Sequence, residues 1–146
     1  MQDKIQIRHL GAENAWLLEG ADVFDHPVDL VQLAAFIADP GHEMIIAVVA
    51  GKIVGMASGS VLLHPDKPPA FLISEVGVSK DMRLRGIGTA LLRRLLQLAR
   101  ARGCRGIWLA TEANNAAARA LYRKLGARET QDVVVCDWDG AMDEGV

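Results

Sequence analysis

Arg83-Leu84-Arg85-Gly86-Ile87-Gly88-Thr89 joins an apolar run, Phe71 to Val78, to a segment with the 3.6-residue periodicity of an amphipathic helix. Gly86 and Gly88 carry no side chain, so the backbone there can approach a ligand closely. The free N–H groups that open the following helix add the positive end of its dipole, and Arg83 and Arg85 add formal positive charge. The stretch predicts a seat for a pyrophosphate. A dinucleotide fold would need a third glycine at Leu91 and a place beside the first strand of a βαβ unit, and a nucleoside-triphosphatase loop would need Gly-Lys-Ser/Thr. Neither pattern is present.

Working outward, the helix is predicted over Ile87 to Ala101, with Leu91, Leu92, Leu95, Leu96 and Ala99 on one face, charged residues on the others and Gly103 as a left-handed stop. Upstream, Met44 to Ala50 and Ile53 to Leu63 flank a tight Gly51-Lys52 turn and read as a hairpin; a proline-rich loop then leads to the strand Phe71 to Val78. Before the hairpin, Ile5 and Ile7 mark a short strand, Ala12 to Glu19 a helix closed by Gly20, and Val28 to Ile37 a second helix with a wide apolar face. Downstream, Gly106 to Ala110 is a fifth strand, Asn114 or Asn115 caps a helix that runs to Leu125, and Thr130 to Trp138, with the β-branched run Val133-Val134-Val135, is a closing strand. Gly140 to Val146 reads as a frayed tail.

The 146 residues, 51% of them hydrophobic, are enough for one substantial core, so a single domain over 1–146 is expected. The longest apolar run falls far short of the roughly 20 residues a bilayer span needs, and Met1-Gln2-Asp3-Lys4 does not open a signal peptide. A cytoplasmic protein with no membrane association is expected. Cys104 and Cys136 stand apart without ligand spacing, and His9, His26, His42 and His64 are scattered, so no metal is expected; both thiols are expected to be core or half-buried. Charge is segregated along the chain. Lys80 to Arg105 carries eight bases against the one acid Asp81, whereas residues 9–51 hold seven acids and no lysine or arginine, and residues 129–146 six acids and no base. That pattern suits a polyanionic cofactor at the middle and a polycationic substrate at the flanks, and it disfavours nucleic acid, which the acidic flanks would repel.

The pattern Arg-x-x-Gly-x-Gly after Glu75-Val76-Gly77-Val78 resembles the acetyl-coenzyme-A loop of the GNAT superfamily of N-acetyltransferases. Asn115-Ala116-Ala117-Ala118-Arg119-Ala120-Leu121-Tyr122-Arg123-Lys124-Leu125-Gly126 resembles that family's Asn-x-x-Ala-x-x-Leu-Tyr-x-x-x-Gly helix, with Ala127 where an aromatic residue is usual. The resemblance implies an α/β (α+β) GNAT fold, a mixed and mostly antiparallel sheet flanked by about four helices in the order β-α-α-β-β-β-α-β-α-β. It implies acetyl-CoA as the acyl donor, bound by Val76, Gly77 and Val78, by Arg83, Leu84, Arg85, Gly86, Ile87, Gly88 and Thr89, and by Asn115, Ala118 and Tyr122.

Acetyl transfer to an amine needs the thioester oxygen polarised, the ammonium deprotonated and the departing thiolate protonated. By resemblance, the amide near Val76 serves the first task, Glu75 is the general base and Tyr122 the proton donor. Shorter pieces, Asp22-Val23-Phe24, Ile73-Ser74-Glu75-Val76-Gly77-Val78 and Cys136-Asp137-Trp138-Asp139, are similar to type I aminoglycoside 3-N-acetyltransferases. That similarity implies an aminoglycoside acceptor, antibiotic resistance as one use of the activity, and a homodimer in which residues 133–135 could pair across subunits or fill an internal sheet. Asp25, Asp29, Asp137 and Asp139, with Glu75, are the candidates for an acidic acceptor groove. Two other readings stay open: an N-acetyltransferase for a peptide N-terminus, a lysine or a small metabolite amine, and a non-catalytic acyl-CoA sensor.

Overall fold

The computed structural model describes residues 4–143, and within them five strands form one sheet in chain order. β1 (Gln6–His9), β2 (His42–Val49), β3 (Lys52–Leu62) and β4 (Ala70–Val78) pair antiparallel, and β5 (Ile107–Trp108) runs parallel to β4. Three helices, α1 (Leu30–Ala38), α2 (Ile87–Ala101) and α3 (Ala116–Lys124), accompany the sheet. The β2–β3 hairpin turns at Ala50 and Gly51, both at positive φ, which matches the right-handed twist of the flanking strands.

The sheet is covered on both sides. Ile45, Ala47, Ala57, Phe71 and Ile73 pack beneath Ile87, Leu91, Leu92, Leu95 and Ala99 of α2, and α3 adds Leu121, Tyr122 and Leu125 to this layer. On the opposite face Met44, Ile46, Val48 and Met56 pack against Leu10, Leu18 and the half-buried Leu17, Val23, Phe24, Val28, Leu33, Phe36 and Ile37. The α2 stripe forms as its periodicity predicts, because the arginines on its other faces stay in water.

A bulge in β4 decides what the sheet presents on each face. Ser58 of β3 opposes Glu75 and Gly59 opposes Ile73, so Ser74 is an extra residue without a cross-strand partner. Phe71 and Ile73 face α2 before the bulge, and Val76 and Val78 face α2 after it. Glu75 and Gly77 therefore point to the other face. Strict alternation from Phe71 and Ile73 would have driven the Glu75 carboxylate under α2.

Five expectations need correction. Residues 12–19 do not form an α-helix; they fold as a 3₁₀ turn, Ala15–Leu18, so three helices rather than about four flank the sheet. The fifth strand shrinks from Gly106–Ala110 to Ile107–Trp108. The closing strand predicted over Thr130 to Trp138 is absent: the segment has no regular secondary structure, is exposed throughout, and no backbone hydrogen bond joins it to a strand. Cys104 is buried as expected, but Cys136, on that segment, is exposed. In α1, Leu30 and Val31 of the expected apolar face lie in solvent while Leu33, Phe36 and Ile37 pack inward. The predicted tail, 140–146, lies partly outside the described residues; Gly140 to Asp143 form a turn.

Candidate active site

Gly86 sits at the N-cap of α2 with φ of 78°, and no atom lies within 4 Å of the place a Cβ would occupy. An L-residue pays strain in that left-handed conformation, which is why glycine stands there. Leu84, two residues earlier, is also left-handed at φ 64° and lies wholly in solvent. Left-handed residues alternating with ordinary ones turn successive N–H groups toward one concavity, the form of an anion-binding nest. The first hydrogen bond closing α2 is Ala90 N–H to the Gly86 carbonyl, and no side chain caps the amides before it. Arg83 fixes the loop to the sheet by donating from Nε to the Val78 carbonyl at 3.2 Å. The cradle suits a pyrophosphate.

The other loop residues divide their work. Ile87 is buried in the core, so its amide alone can face a ligand. At Gly88 a Cβ would come within 3.4 Å of Leu121 of α3. Gly88 thus serves helix–helix approach as much as ligand access.

β4 is bound to β5 only at Phe71 and Leu72. From Ile73 to Val78 no strand pairs with its outer edge among the described residues, which leaves the Val76–Gly77–Val78 backbone open on that side. An extended amide-bearing chain could be held there as an added strand. Gly77 has a second role that sequence reading missed. Its missing Cβ would lie 2.7 Å from the Val23 carbonyl, so the loop between the 3₁₀ turn and α1 crosses β4 by backbone contact at this residue. A glycine inside a strand is the available signal for such an approach.

That crossing brings Asp25 to Glu75. The half-exposed Glu75 carboxyl is raised above the ordinary carboxylate range, first by partial burial and second by the negative charge of Asp25. Of the four acceptor-side aspartates, Asp25 alone acts on Glu75 in this way. Asp29 caps α1, its Oδ1 accepting from the Val31 and Gln32 amides at 2.9 and 3.2 Å. Asp137 and Asp139 lie on the exposed segment after α3, and no hydrogen bond or ion pair among the described residues ties them to the sheet.

Tyr122 projects from α3 into the layer beneath α2, and burial raises its phenol above the ordinary value. It therefore keeps its proton at neutral pH and is a donor rather than a base. Asn115 caps α3 through its Oδ1, which accepts from the Ala118 amide at 3.2 Å. Its side-chain amide nitrogen remains for a ligand. Ala118 is half-buried one turn before Tyr122. Among the described residues no group of three or more His, Cys, Asp or Glu is placed to hold a metal ion, and no helix is long and apolar enough to cross a membrane.

Residues 11–127 match the sequence profile of the acetyltransferase (GNAT) family. The chain is 38% identical over 79 residues to the [ribosomal protein bS18]-alanine N-acetyltransferase of Escherichia coli (strain K12), a match covering 54% of this chain and 50% of that protein. It is 34% identical over 104 residues to the L-methionine sulfoximine/L-methionine sulfone acetyltransferase of Pseudomonas paraeruginosa, covering 68% and 60%. The chain spans about half the length of the first of these relatives. Among solved structures, the aminoglycoside acetyltransferase AAC(6′)-Iy in complex with a CoA-linked bisubstrate analogue superposes with a TM-score of 0.78 at 21% identity, over 92% of this chain and 98% of that one. At that identity the likeness speaks for the fold.

Proposed function

The chain belongs to the acetyltransferase (GNAT) family, and from that premise we propose that it transfers the acetyl group of acetyl-CoA directly to an amine of a polycationic small molecule, an aminoglycoside or a close polyamine. The coenzyme supplies an activated thioester. The Gly86 cradle with Arg83 and Arg85 holds its pyrophosphate, and the open edge of β4 from Val76 to Val78 orients its amide-bearing arm. Glu75 takes the proton of the acceptor ammonium, directly or through one water. Tyr122 holds a proton at Oη for the departing sulfur. Asn115 and Ala118 line the approach from α3.

One observation carries the acceptor class: the β4 bulge turns Glu75 to the face where Asp25 crosses, so two carboxylates share the end of the cofactor edge. Such a pair attracts a cation and repels a carboxylate. An amino-acid acceptor would bring its own carboxylate, and residues 9–51, which supply this face, contain no lysine or arginine to receive it. A peptide N-terminus is the second reading, favoured by the bS18-alanine relative and by the exposed Leu30 and Val31 of α1. The 3-N position rests on the short motifs around Asp22 and Asp137, whereas the superposed aminoglycoside enzyme is a 6′ one. The regiochemistry is therefore read from the product. We further propose one domain over residues 1–146, working in the cytoplasm as a homodimer, with antibiotic resistance as one use of the activity.

The test is coenzyme-A thiol release by purified protein with acetyl-CoA against aminoglycosides, polyamines, N-terminal peptides and amino acids, with products placed by NMR. Release with aminoglycosides or polyamines is expected. Release with peptides alone moves the acceptor to the second reading, and silence despite coenzyme binding favours a non-catalytic acyl-CoA sensor.

A further inference from the structure

A cleft between β1 and the 3₁₀ turn lies apart from the coenzyme and acceptor sites and has a chemistry of its own. Its volume is about 410 Å³, within the usual range for a small-molecule site. Gln6 and Arg8 of β1, with Lys4 just before the strand, line one side. Register sets Gln6 opposite Val48 and Arg8 opposite Ile46, so these side chains share the sheet face on which the 3₁₀ turn packs. Val48 and Leu17 supply an apolar floor. The hairpin turn closes one end at Ala50 and Gly51, and nothing lies within 4 Å of the place a Gly51 Cβ would occupy.

Two features set this cleft apart from the surface around it. Lys4 and Arg8 are the only lysine or arginine residues ahead of Lys52, and both line it. Neither forms an ion pair among the described residues. Arg8 instead donates from Nη2 to Gln6 Oε1, so a neutral neighbour positions the guanidinium and leaves its charge for a ligand. The second feature is Trp16. Leu18 is 2% exposed and anchors the 3₁₀ turn in the core, while Trp16 on the same turn is 67% exposed and lines the cleft. An indole packs on another aromatic ring with a gain beyond the area that is buried.

We infer that this cleft binds a small aromatic carboxylate, its carboxylate between Arg8 and Lys4 and its ring on Trp16 above Leu17 and Val48. An anion without a ring would leave the indole and the apolar floor unused, and a neutral ring would leave both cations unpaired. An acidic peptide added as a strand to the free edge of β1 fits less well, because β1 has only four residues to pair with it. No lining residue belongs to the glycine cradle, the β4 edge or α3. β1 also stands three strand spacings, about 14 Å, from β4. The cleft and the coenzyme seat can therefore be filled together.

The experiment is a titration of the full chain with 2-naphthoate, read by NMR at the Trp16 indole N–H and the Gln6 and Gly51 amides, with and without saturating coenzyme A. No readout depends on turnover. Acetate and 2-naphthylmethanol supply the charge or the ring alone, and a peptide of alternating glutamate and valine supplies the strand. Naphthoate is expected to saturate with a Kd roughly tenfold or more below that of either fragment, unchanged by coenzyme A. Arg8→Gln should weaken it roughly tenfold, and Trp16→Ala should reduce it to the level of acetate, both with coenzyme A affinity intact. Naphthoate that binds no better than acetate, fails to saturate or is displaced by coenzyme A overturns the inference. So does saturation of the same signals by the peptide in place of naphthoate.

Discussion

At the scale of single residues, the site depends on two groups whose proton affinities are moved upward for different reasons. Tyr122 is held protonated by burial, which suits donation to sulfur. Tyr122→Phe keeps the ring and the packing, so coenzyme affinity should be unchanged while kcat falls about 100-fold, toward the lower end of the range for a lost general acid; steady-state kinetics beside a coenzyme titration checks this. Glu75 is moved by partial burial and then by Asp25. A base works only when ionised, so the acidic limb of the rate profile should lie above the range of a free carboxylate. Asp25→Asn removes a negative charge, lowers the Glu75 proton affinity and should carry that limb to lower pH; a limb that stays put separates Asp25 from the site. Because the native state binds this proton more tightly than the unfolded chain does, ionisation of Glu75 costs stability as pH rises through the carboxylate range. Glu75→Gln should therefore raise Tm at pH 7 while lowering turnover.

At the scale of elements, the β4 strand joins the two halves of the site. Its outer edge is free for the coenzyme, and its bulge and Gly77 bring the loop with Asp25 to the other side. Gly77→Ala places a methyl against the Val23 carbonyl, and because this is a backbone atom the loop must shift. The expected result is an acceptor KM raised several-fold or more with coenzyme affinity nearly intact; an unchanged acceptor KM would show that the crossing loop does not shape the acceptor side. The glycine loop and α2 were legible in sequence because left-handed glycines and a 3.6-residue stripe are local signals. The β3–β4 register was not, since Phe71, Ile73 and Glu75 read as one alternating face and the extra residue at Ser74 leaves no compositional mark. Residues 12–19 have helical composition, yet Leu10 and Leu18 are drawn into the sheet layer, and a single 3₁₀ turn places them there. The Val133–Val135 run was read as a strand from its β-branched composition, but composition does not supply a cross-strand partner, and the segment lies exposed without one among the described residues. Sequence did not show that Asp29 caps α1, because capping and groove-lining call for the same residue type.

At the scale of the whole molecule, the coenzyme seat is built from three elements, α2, β4 and α3, that meet in one apolar layer. α2 and the sheet share a continuous apolar layer, whereas α3 joins that layer by an edge and no residue of α3 is fully buried. The cradle at Gly86, the open edge of β4 and the Asn115 end of α3 border that layer, and a coenzyme bound to all three would tie them together further. Binding should therefore stabilise the fold by linkage, about 2.7 kcal/mol at a hundredfold excess of coenzyme A over its Kd. For a chain of this size that is a rise in Tm of roughly 5–10 °C. Gly86→Val should remove most of the rise, because valine resists the left-handed φ and its branches fill the space left open for the anion. Its own unliganded Tm should drop modestly, by an amount corresponding to about 1–2 kcal/mol of left-handed strain. Thermal melts of both proteins with and without coenzyme A check this directly. An equal rise in both would place the anion seat away from the α2 N-terminus, and a loss confined to the variant would place it there.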